Sequence, residues 1–523
     1  MKRIFIDSHL FPAEDWKNVI GKNDISVLVG PFEKMLEENN RKAVDLFIFA
    51  REGARIRDAF ARNQANPLLK NFLENEEIKK AAWSMDSHHQ WPHEIACQQF
   101  FDTYYLAHSN YIDKFAPGKA RWLPCALQFD GRREDVLPYI TGDVPKSYDV
   151  VSVYRDYLHI GDRNAAAWMC WKELQEEGRS VFLGQTRQWN PDGTKTEGGI
   201  NRYYEALRSG KVILNLSIID DLNMRNLEAL LLNQVMVANR VPDHEKLKLD
   251  YSNVVFFDKF DVRSFRKAMD EAMEKAERPC RNTMAGALNH HTMIHRFVTM
   301  INEQLETKLV VPNVDVEAAI AKQKPMEQRA FFPSAERGDI VYDEMELGIK
   351  AIYAYMARQE PAESVQILLG LLKKYPAHEA WQGRLDELFF ILRECSNIMK
   401  ADDPISIELL LQALVEATRH AFLNGVNLDQ LSQLVHSIPV LLQECPAKRR
   451  FCKVLARALL VVAQRHMETR DWSKAVECLE KAEDLGAELG QADCLGFAEA
   501  YRKTGQMEKA VERYTQAVKM GKE

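Results

Sequence analysis

The length, composition and charge of the chain exclude several broad classes of protein. Its 523 residues are enough for about three domains with separate hydrophobic cores. Hydrophobic residues make up 46% and charged residues 28%, and the net charge of −7 indicates neither a nucleic-acid partner nor a membrane surface. No apolar run approaches the roughly 20 residues of a membrane-spanning helix. Nine scattered cysteines without a Cys-x-x-Cys pair indicate a reduced, cytoplasmic protein.

The first 142 residues alternate between short apolar runs and amphipathic runs. The apolar runs predict strands at 2–7, 24–30, 44–50, 80–86, 103–109 and 121–127, and the amphipathic runs predict helices at 31–40 and 94–100. Strands that alternate with helices are typical of a parallel sheet covered on both faces. We therefore predict an N-terminal Rossmann-like domain over residues 1–142.

After a break at 141–147 the alternation begins again. Strands are predicted at 148–155, 180–185, 211–217, within 220–243 and at 253–258, and helices at 163–177 and 201–210. This pattern predicts a second Rossmann-like domain over 148–285. Residues 286–340 are expected to hold a closing helix and then a proline-containing linker.

The chain from 341 to 523 has only helical periodicity. The segments "WSKAVECLEKA" (472–482) and "MEKAVERYTQA" (507–517) repeat at a spacing of 35, so that Ala475 matches Ala510 and Ala482 matches Ala517. This layout resembles the tetratricopeptide repeat, in which small residues let paired helices approach closely. The resemblance implies a helical solenoid that binds a polypeptide. The alternative is a packing domain that only stabilises a dimer or the α/β part.

The strongest candidate site lies in "DDLNMRNLEALLLNQVMVANRVPD" (220–243), predicted as a loop, a short helix and a buried strand. Ligands of open parallel sheets bind beyond the carboxyl ends of the strands, where this loop is expected to lie. Asn223 is expected to cap the helix, and the leucines of 227–231 to pack on the sheet. Arg225 and Glu228 lie three apart near the helix start and suit a phosphate and the hydroxyls of a ribose. The alternative is an exposed ion pair.

A wider pattern surrounds this pair: a Lys before a strand that ends in Asn, a short loop, and Asn-x-Arg-x-x-Glu, here Lys211, Asn215, Asn223, Arg225 and Glu228. With "INRYYEALRSGK" (200–211) and "YDVVSVYRDYLHIGDRN" (148–164), this pattern resembles the spore-maturation-type group 1 glycosyltransferases over roughly residues 80–260. These enzymes have the GT-B fold of two Rossmann-like domains. The resemblance implies a hexosyltransferase-type bacterial enzyme with a UDP- or GDP-linked sugar donor and no metal or other cofactor.

The same resemblance implies a set of donor-binding residues. Glu228 would hold the donor ribose, and Arg163, Lys211 and Arg225 would lie around the diphosphate. The full implied set is Arg163, Arg202, Tyr203, Lys211, Asn215, Leu222, Asn223, Arg225, Asn226 and Glu228. Two features depart from the family: the turn after the strand at 149–153 lacks an early glycine, and Asp220 stands where the first of two glutamates eight apart is usual.

The N-terminal domain is expected to supply the acceptor side. Polar residues follow two of its strands, and His9, Asp86 and His88 are the candidate general bases, with a local hydrogen-bonding role as the alternative. Two metal alternatives are disfavoured. The histidines of 88–93 lack a known zinc-ligand spacing. The adjacent Asp220 and Asp221 could converge on a loop, but two similar α/β halves argue against the other glycosyltransferase fold, in which such aspartates hold Mn²⁺. Three tryptophans could stack on a sugar or lie in the core: Trp83, Trp91 and Trp122.

These observations favour one function and leave others open. We expect a cytoplasmic glycosyltransferase that moves a sugar from a nucleotide sugar to a protein acceptor docked on the repeat region. The alternatives are an interaction scaffold with an inactive glycosyltransferase-like part, and a sugar-nucleotide epimerase. No nucleic-acid partner is expected, and self-association is left open.

Overall fold

The structure is a computed structural model of the chain, and its description covers most of the sequence. The described residues are 1–20, 25–41, 44–51, 53–85, 87–127, 144–154, 161–186, 199–247, 249–280, 283–321, 331–334, 339–375, 381, 384–399, 404–424 and 448–521. Contacts between Cα atoms divide the chain into two compact units. The first comprises Met1–Asp156 and Met169–Val341, and the second comprises Tyr157–Trp168 and Tyr342–Glu523.

The first unit contains two six-stranded sheets. The first sheet is built from β1 (Lys2–Asp7), β2 (Ile25–Val29), β3 (Leu46–Phe49), β4 (Lys79–Ser84), β5 (Thr103–Leu106) and β6 (Ala120–Trp122). The second is built from β7 (Tyr148–Val153), β8 (Val181–Gln185), β9 (Gly210–Asn215), β10 (Val235–Asn239), β11 (Val254–Phe257) and β12 (Ile340–Val341). The strand orders are β2-β1-β3-β4-β5-β6 and β11-β10-β9-β7-β8-β12, and every pairing is parallel except that of β12.

Helices lie between these strands and after them. In the first part of the chain they are α1 (Ala13–Ile20), α2 (Phe32–Arg41), α3 (Gly53–Arg62), α4 (Pro67–Glu74), α5 (Ser87–Cys97), α6 (Gly161–Glu176) and α7 (Gly199–Arg208). They continue with α8 (Arg225–Leu231), α9 (Asp243–Lys246), α10 (Val262–Ala276), α11 (Thr283–His290), α12 (Met293–Leu305) and α13 (Val316–Ala321). Short 3-10 helices cover Gln98–Phe100 and Ser109–Lys114. The prediction of two α/β halves followed by helices is confirmed, and so are all eleven predicted strands.

Aromatic side chains fill one face of the first sheet, and a helix from later in the chain covers the other face. On the first face, the Phe47 ring lies edge-on to Phe72 at 5.3 Å between centroids. On the second face, α12 buries Phe297, whose ring lies 5.9 Å from that of Trp83. The predicted closing helix thus returns to pack on the first half of the unit. Trp83 belongs to this core and donates its indole N–H to Leu123 O at 3.1 Å.

One strand of the second sheet lies in the region predicted as a linker. The two-residue strand β12 pairs antiparallel with β8, joining Ile340 to Gln185 and Val341 to Gly184. A Cβ atom at Gly184 would lie 2.0 Å from Ile340 O, so only glycine permits this close pairing. A strand this short carries no alternating pattern that sequence inspection could detect.

The segment at 85–93 has the polar composition of a loop, but most of it is helical. Residues from Ser87 onward form α5, which begins well before the predicted helix at 94–100. Helix α5 packs so closely on α3 that a Cβ atom at Gly53 would come within 2.5 Å of Glu94 Cγ. Tertiary packing therefore extends a helix through a segment whose local composition indicates a loop. The helices α1, α3 and α4 were also absent from the predicted pattern.

The second unit is helical. Its elements after α6 are α14 (Glu344–Ala357), α15 (Pro361–Lys374), α16 (Leu385–Ile398), α17 (Pro404–Asn424), α18 (Lys448–Glu468), α19 (Trp472–Asp484), α20 (Gln491–Lys503) and α21 (Met507–Met520). The four repeated alanines, Ala475, Ala482, Ala510 and Ala517, are all buried. This burial agrees with close helix pairing, while the tetratricopeptide assignment itself stays a prediction. Within the described residues, every helix is too short or too polar to cross a membrane.

Candidate functional site

A network of asparagine side chains organises the chain beyond the carboxyl end of β9. Asn215 ends the strand, and its side-chain oxygen accepts a hydrogen bond from Asn223 Nδ2 at 3.0 Å. Asn223 Nδ2 also donates to Leu216 O at 3.3 Å, and Asn226 Nδ2 donates to Asn223 O at 3.1 Å. The predicted N-cap role of Asn223 is wrong, because Met224 occupies that position and its side chain makes no capping bond. Asn223 instead holds the loop against the strand end.

A buried histidine extends this network. His244 Nδ1 accepts a hydrogen bond from Val241 N at 3.2 Å, so its proton lies on Nε2, which faces Asn226 Oδ1 at 3.0 Å. Burial and the nearby Arg240 lower the pKa of His244 to about 4, which keeps the ring neutral near pH 7. The neutral ring donates to Asn226 and fixes the orientation of that amide at the start of α8.

A buried carboxylate lies at the centre of the candidate site. Glu228, in the first turn of α8, is 6% exposed, and the Tyr203 hydroxyl of α7 donates a short hydrogen bond to its Oε2. Burial raises the pKa of Glu228, while Arg225 and the Tyr203 hydrogen bond act in the opposite direction. Burial and the nearby Glu228 carboxylate raise the pKa of Tyr203, so its hydroxyl remains protonated and donates. The alternative of an exposed Arg225–Glu228 ion pair is therefore wrong, because the Glu228 carboxylate is buried.

Arg225 completes this cluster. It is the first residue of α8 and is half-buried. Burial raises the pKa values of both Glu228 and Tyr203, and the charge of Arg225 opposes this rise. Among the residues that the structure describes, none accepts a hydrogen bond from Arg225 Nε, although this atom is buried. A guanidinium with an unused buried donor, beside a carboxylate and a strand end, suits an anionic ligand with hydroxyl groups.

The loop after β9 also contacts the first half of the unit. Asp221 Oδ1 accepts hydrogen bonds from Ile218 N at 2.8 Å and Ile219 N at 3.1 Å, which stabilises the turn of the loop. Its other oxygen lies 3.3 Å from His108 Nε2. His108 follows β5 of the first sheet, and both side chains are nearly inaccessible to solvent. The carboxyl edges of the two sheets are therefore joined by a carboxylate–imidazole pair.

A second contact joins the same two edges. Asp243, at the start of α9, accepts a hydrogen bond from Ser109 N at 3.1 Å and a short one from Ser109 Oγ. Lys246 Nζ lies 3.7 Å from Asp243 Oδ1 and also donates to Ser109 Oγ. Ser109 and Asp243 are both buried, so the contacts among Ser109, Asp243 and Lys246 replace the hydrogen bonds that solvent would otherwise provide.

The structure does not bring Lys211 to this site. Its ammonium pairs with Asp149 Oδ1 at 2.9 Å, near the amino ends of β9 and β7. Four residues of strand, about 13 Å at 3.3 Å per residue, separate it from Asn215 at the other edge of the sheet. The expectation that Lys211 lies beside a donor diphosphate is therefore wrong for this geometry.

Two other predicted donor-binding residues have structural partners. Arg202 Nη2 donates to Asp339 Oδ2 at 2.7 Å, and its guanidinium stacks on the Phe331 ring at 4.2 Å. These contacts tie α7 to the segment before β12. Leu222 is 1% exposed and lies in the core of the second sheet. Arg202 is thus engaged with structural partners and Leu222 with the core, and the donor contacts expected of both stay predictions.

The roles of the remaining predicted residues stay predictions. Arg163 is buried in the first turn of α6, in the stretch that belongs to the second unit, and its role stays a prediction. His9 is exposed in the turn after β1. Asp86 lies outside the described residues, and so does the side chain of His88, whose backbone is in α5. The assignment of a general base among these three stays a prediction.

The metal alternatives gain no geometric support. Asp220 has φ of 46° and faces Lys259 Nζ at 3.3 Å, whereas Asp221 turns inward to the loop amides. His93 Nδ1 lies 3.2 Å from Arg57 Nη1, a cation that competes with any metal. In the described part of the chain, no three His, Cys, Asp or Glu side chains form a group that could hold a metal ion.

Sequence inspection missed His108, Ser109 and Asp243. Each follows the carboxyl end of a strand that the sequence does predict, β5 or β10. The strand predicted at 103–109 includes His108 and Ser109, whereas β5 ends at Leu106, so the overlong prediction hid their position at the carboxyl edge. No local pattern pairs Ser109 with Asp243, because 134 positions separate them.

Comparison with known proteins supports a sugar-transferring class for part of the chain. A family model described as glycosyl transferase-like matches residues 163–302, which include β9, α8 and Glu228. No curated protein sequence matches the chain.

Several solved structures are similar in part. They include sucrose-phosphate synthase from Thermosynechococcus elongatus (9% identity, 58% of this chain and 99% of that chain, TM-score 0.38) and Anabaena HepE in complex with UDP (11%, 59% and 100%, 0.35). Starch synthase IV of Arabidopsis thaliana, bound to ADP and acarbose, is another (7%, 62% and 100%, 0.37). Identities and TM-scores this low assign neither a substrate nor an activity to this chain.

Proposed function

We propose that this protein is a GT-B glycosyltransferase that binds a nucleotide-sugar donor beyond the carboxyl end of β9. The observation that carries the proposal is the buried Glu228 carboxylate with the Arg225 guanidinium beside it. Both lie inside the segment that matches the glycosyl transferase-like family. A fixed acceptor beside a guanidinium whose buried Nε has no partner among the described residues suits a ligand that carries hydroxyls and phosphate.

In this proposal each group has a separate task. Glu228, oriented by the Tyr203 hydroxyl, accepts hydrogen bonds from the hydroxyls of the donor ribose. Arg225 stabilises the charge that develops on the diphosphate as the glycosidic bond breaks. The Asn215, Asn223 and Asn226 amides and His244 are positioning residues that hold the loop in one conformation.

We further propose that His108 and Asp221 position the donor loop rather than react. Asp221 bonds the loop amides and also faces His108, so the pair transmits the position of the first sheet to the donor site. The acceptor hydroxyl would be deprotonated from the side of the first sheet, by one of His9, Asp86 or His88. A polypeptide acceptor, docked by the helical second unit, is the acceptor class that the helical repeat favours.

Calorimetry with nucleoside diphosphates tests the donor site directly. We expect the wild-type chain to bind UDP, GDP or ADP, and Glu228→Gln to weaken that binding about a hundredfold. That loss corresponds to about 3 kcal/mol for hydrogen bonds to a charged acceptor. Glu271→Gln is the matched control, because Glu271 lies on α10 of the same half and is exposed beside Lys275. If no nucleoside diphosphate binds the wild type, the glycosyltransferase proposal is wrong and the scaffold alternative is favoured.

Incubation with nucleotide sugars separates the enzyme classes. Transfer to a protein acceptor yields a glycosylated polypeptide and free nucleoside diphosphate. An epimerase would return an altered nucleotide sugar with no release of diphosphate. Mass spectrometry of both the nucleotide and the protein fraction distinguishes these outcomes.

A further inference from the structure

The last helix of the second unit exposes a continuous apolar stripe. Met507 is 57% exposed, Val511 60% and Val518 55%, and the half-buried Tyr514 lies between them. Spacings of four, three and four residues place all four side chains on one face of α21. Exposed apolar residues that line up in this way indicate a contact surface rather than isolated surface side chains.

In the preceding repeat, the corresponding face of α19 is buried. Val476 of α19 corresponds to Val511 at the 35-residue spacing, and Leu479 corresponds to Tyr514. Val476 is only 6% exposed and Leu479 only 2%. The repeat thus has an apolar face of the kind that is normally buried.

The other faces of α21 already contact its own unit. Ala510 and Ala517 are buried. On a further face, Lys509 Nζ pairs with Glu480 Oε1 of α19 at 3.0 Å, and Arg513 forms a close ion pair with Glu483. Met507, Val511 and Val518 stay exposed, and Tyr514 also contacts α20, where its hydroxyl donates to Glu499 Oε2 at 3.1 Å.

The stripe is complementary to itself. In an antiparallel pair of α21 helices, Met507 would meet Val518 of the second copy, and Val511 would meet Tyr514 of the second copy. The exposed Glu508 would then lie beside the exposed Lys519 of the second copy, and the two-fold axis repeats this contact. Opposite charges that flank an apolar seam set the orientation and register of paired helices.

We propose that the chain forms a two-fold dimer through antiparallel contact of α21 with α21 of a second copy. The apolar stripe is the core of the interface, and two Glu508–Lys519 pairs flank it. The proposal does not depend on the proposed glycosyltransferase function, since it involves only the second unit.

Sedimentation velocity of the full chain over a concentration series tests the interface. We expect the wild type to dimerise and Val511→Glu to weaken the dimer on the order of a hundredfold, because it places two carboxylates in the apolar core. Val310→Glu is the control, since Val310 is 74% exposed but lies in the first unit. A wild type that stays monomeric, or a dimer that Val511→Glu leaves unchanged, overturns the proposal.

Charge exchange tests the antiparallel arrangement without altering the apolar core. Glu508→Lys and Lys519→Glu should each weaken the dimer about tenfold, because each creates two like-charge contacts. An equimolar mixture of the two variants should restore wild-type affinity, since their heterodimer regains two opposite-charge contacts. Circular dichroism confirms that both variants are folded. If the mixture associates no better than either variant alone, the antiparallel register is wrong.

Discussion

The two sheets of the first unit have nearly the same architecture, but the chain beyond their carboxyl edges differs. The second sheet ends in a buried polar network that fixes α8 and holds the Glu228 carboxylate inside the fold. The first sheet ends in an exposed turn at His9 and in the buried residues His108 and Ser109, whose partners belong to the second sheet. The same scaffold therefore carries the proposed ligand site beyond the second sheet, and the described residues beyond the first sheet include two that contact it.

This difference shows where specificity lies in a repeated fold. Strand pairing and core packing make the two halves alike, and they leave the loops free to differ. In the second half, the loop amides, Asp221 and the asparagines leave little conformational freedom before a ligand binds. We expect changes there to alter binding, and changes at the contacts between the halves to alter stability.

Removing the charge of Asp243 should produce the largest change in stability. Asp243→Asn replaces a carboxylate that accepts from Ser109 N and Oγ by an amide whose nitrogen cannot accept. Both groups are buried, so we expect the free energy of unfolding to fall by about 2 kcal/mol. Urea unfolding followed by tryptophan fluorescence measures this change.

A matched pair of variants shows whether the contact itself is responsible. Asp250→Asn is the control, because Asp250 is exposed in the same half and bonds only locally to Ser252 N. Ser109→Ala combined with Asp243→Asn should cost less than the sum of the two single changes. Strict additivity would show that the two residues act independently.

Tyr203→Phe should have a smaller effect. It should lower the affinity for the ligand and leave the free energy of unfolding nearly unchanged. The variant keeps the ring in the core and removes only the hydroxyl that orients Glu228. We expect nucleoside diphosphate affinity to fall about tenfold, since one hydrogen bond to a charged group is lost. Tyr204→Phe is the control, because Tyr204 is an equally buried neighbour on the same helix. Equal losses in both variants would mean that Tyr203 has no special role.

The comparison of the halves also shows what the sequence can predict. Apolar runs overlap all eleven parallel strands. The reason is clearest for β3 and β10, which are buried along their whole length and must be apolar throughout, whereas the edge strands β2 and β6 are only partly buried. The same runs place the loop before Arg225 and Glu228 at a carboxyl edge. The position of Lys211 could also have been predicted. It lies four residues before Asn215 on the same strand, and the rise per residue puts the two side chains at opposite edges of the sheet.

Other features depend on contacts that no local pattern encodes. The burial of Glu228 requires Tyr203 from another helix, and the pairing of β12 depends on the absence of a side chain at Gly184. Asparagine is a common N-cap residue, but the Asn223 side chain instead donates a hydrogen bond to the Asn215 side-chain oxygen at the end of the strand. Tertiary hydrogen bonds therefore override the local preference.

The pH dependence of binding should be the smallest effect near neutrality, and it has a characteristic sign. Burial raises the pKa of Glu228 above its ordinary value of 4.5, and the ribose hydroxyls need the ionised form as acceptor. As pH falls below that raised pKa, nucleoside diphosphate affinity of the wild type should fall by up to about tenfold per pH unit, the limit for one proton. The affinity of Glu228→Gln should lack this dependence on pH. Any dependence that remains in the variant reports protonation of the ligand itself.

Stability should respond to pH in the opposite direction. A carboxyl whose pKa is higher in the folded than in the unfolded state contributes stability that is present at low pH and lost as pH rises through the folded value. The free energy of unfolding of the wild type, relative to Glu228→Gln, should therefore increase as pH is lowered from neutrality toward 4.5, while its affinity decreases. Both trends come from one buried carboxyl in the second half. If affinity and stability fall together with pH in the wild type alone, protonation of Glu228 does not explain the loss of binding.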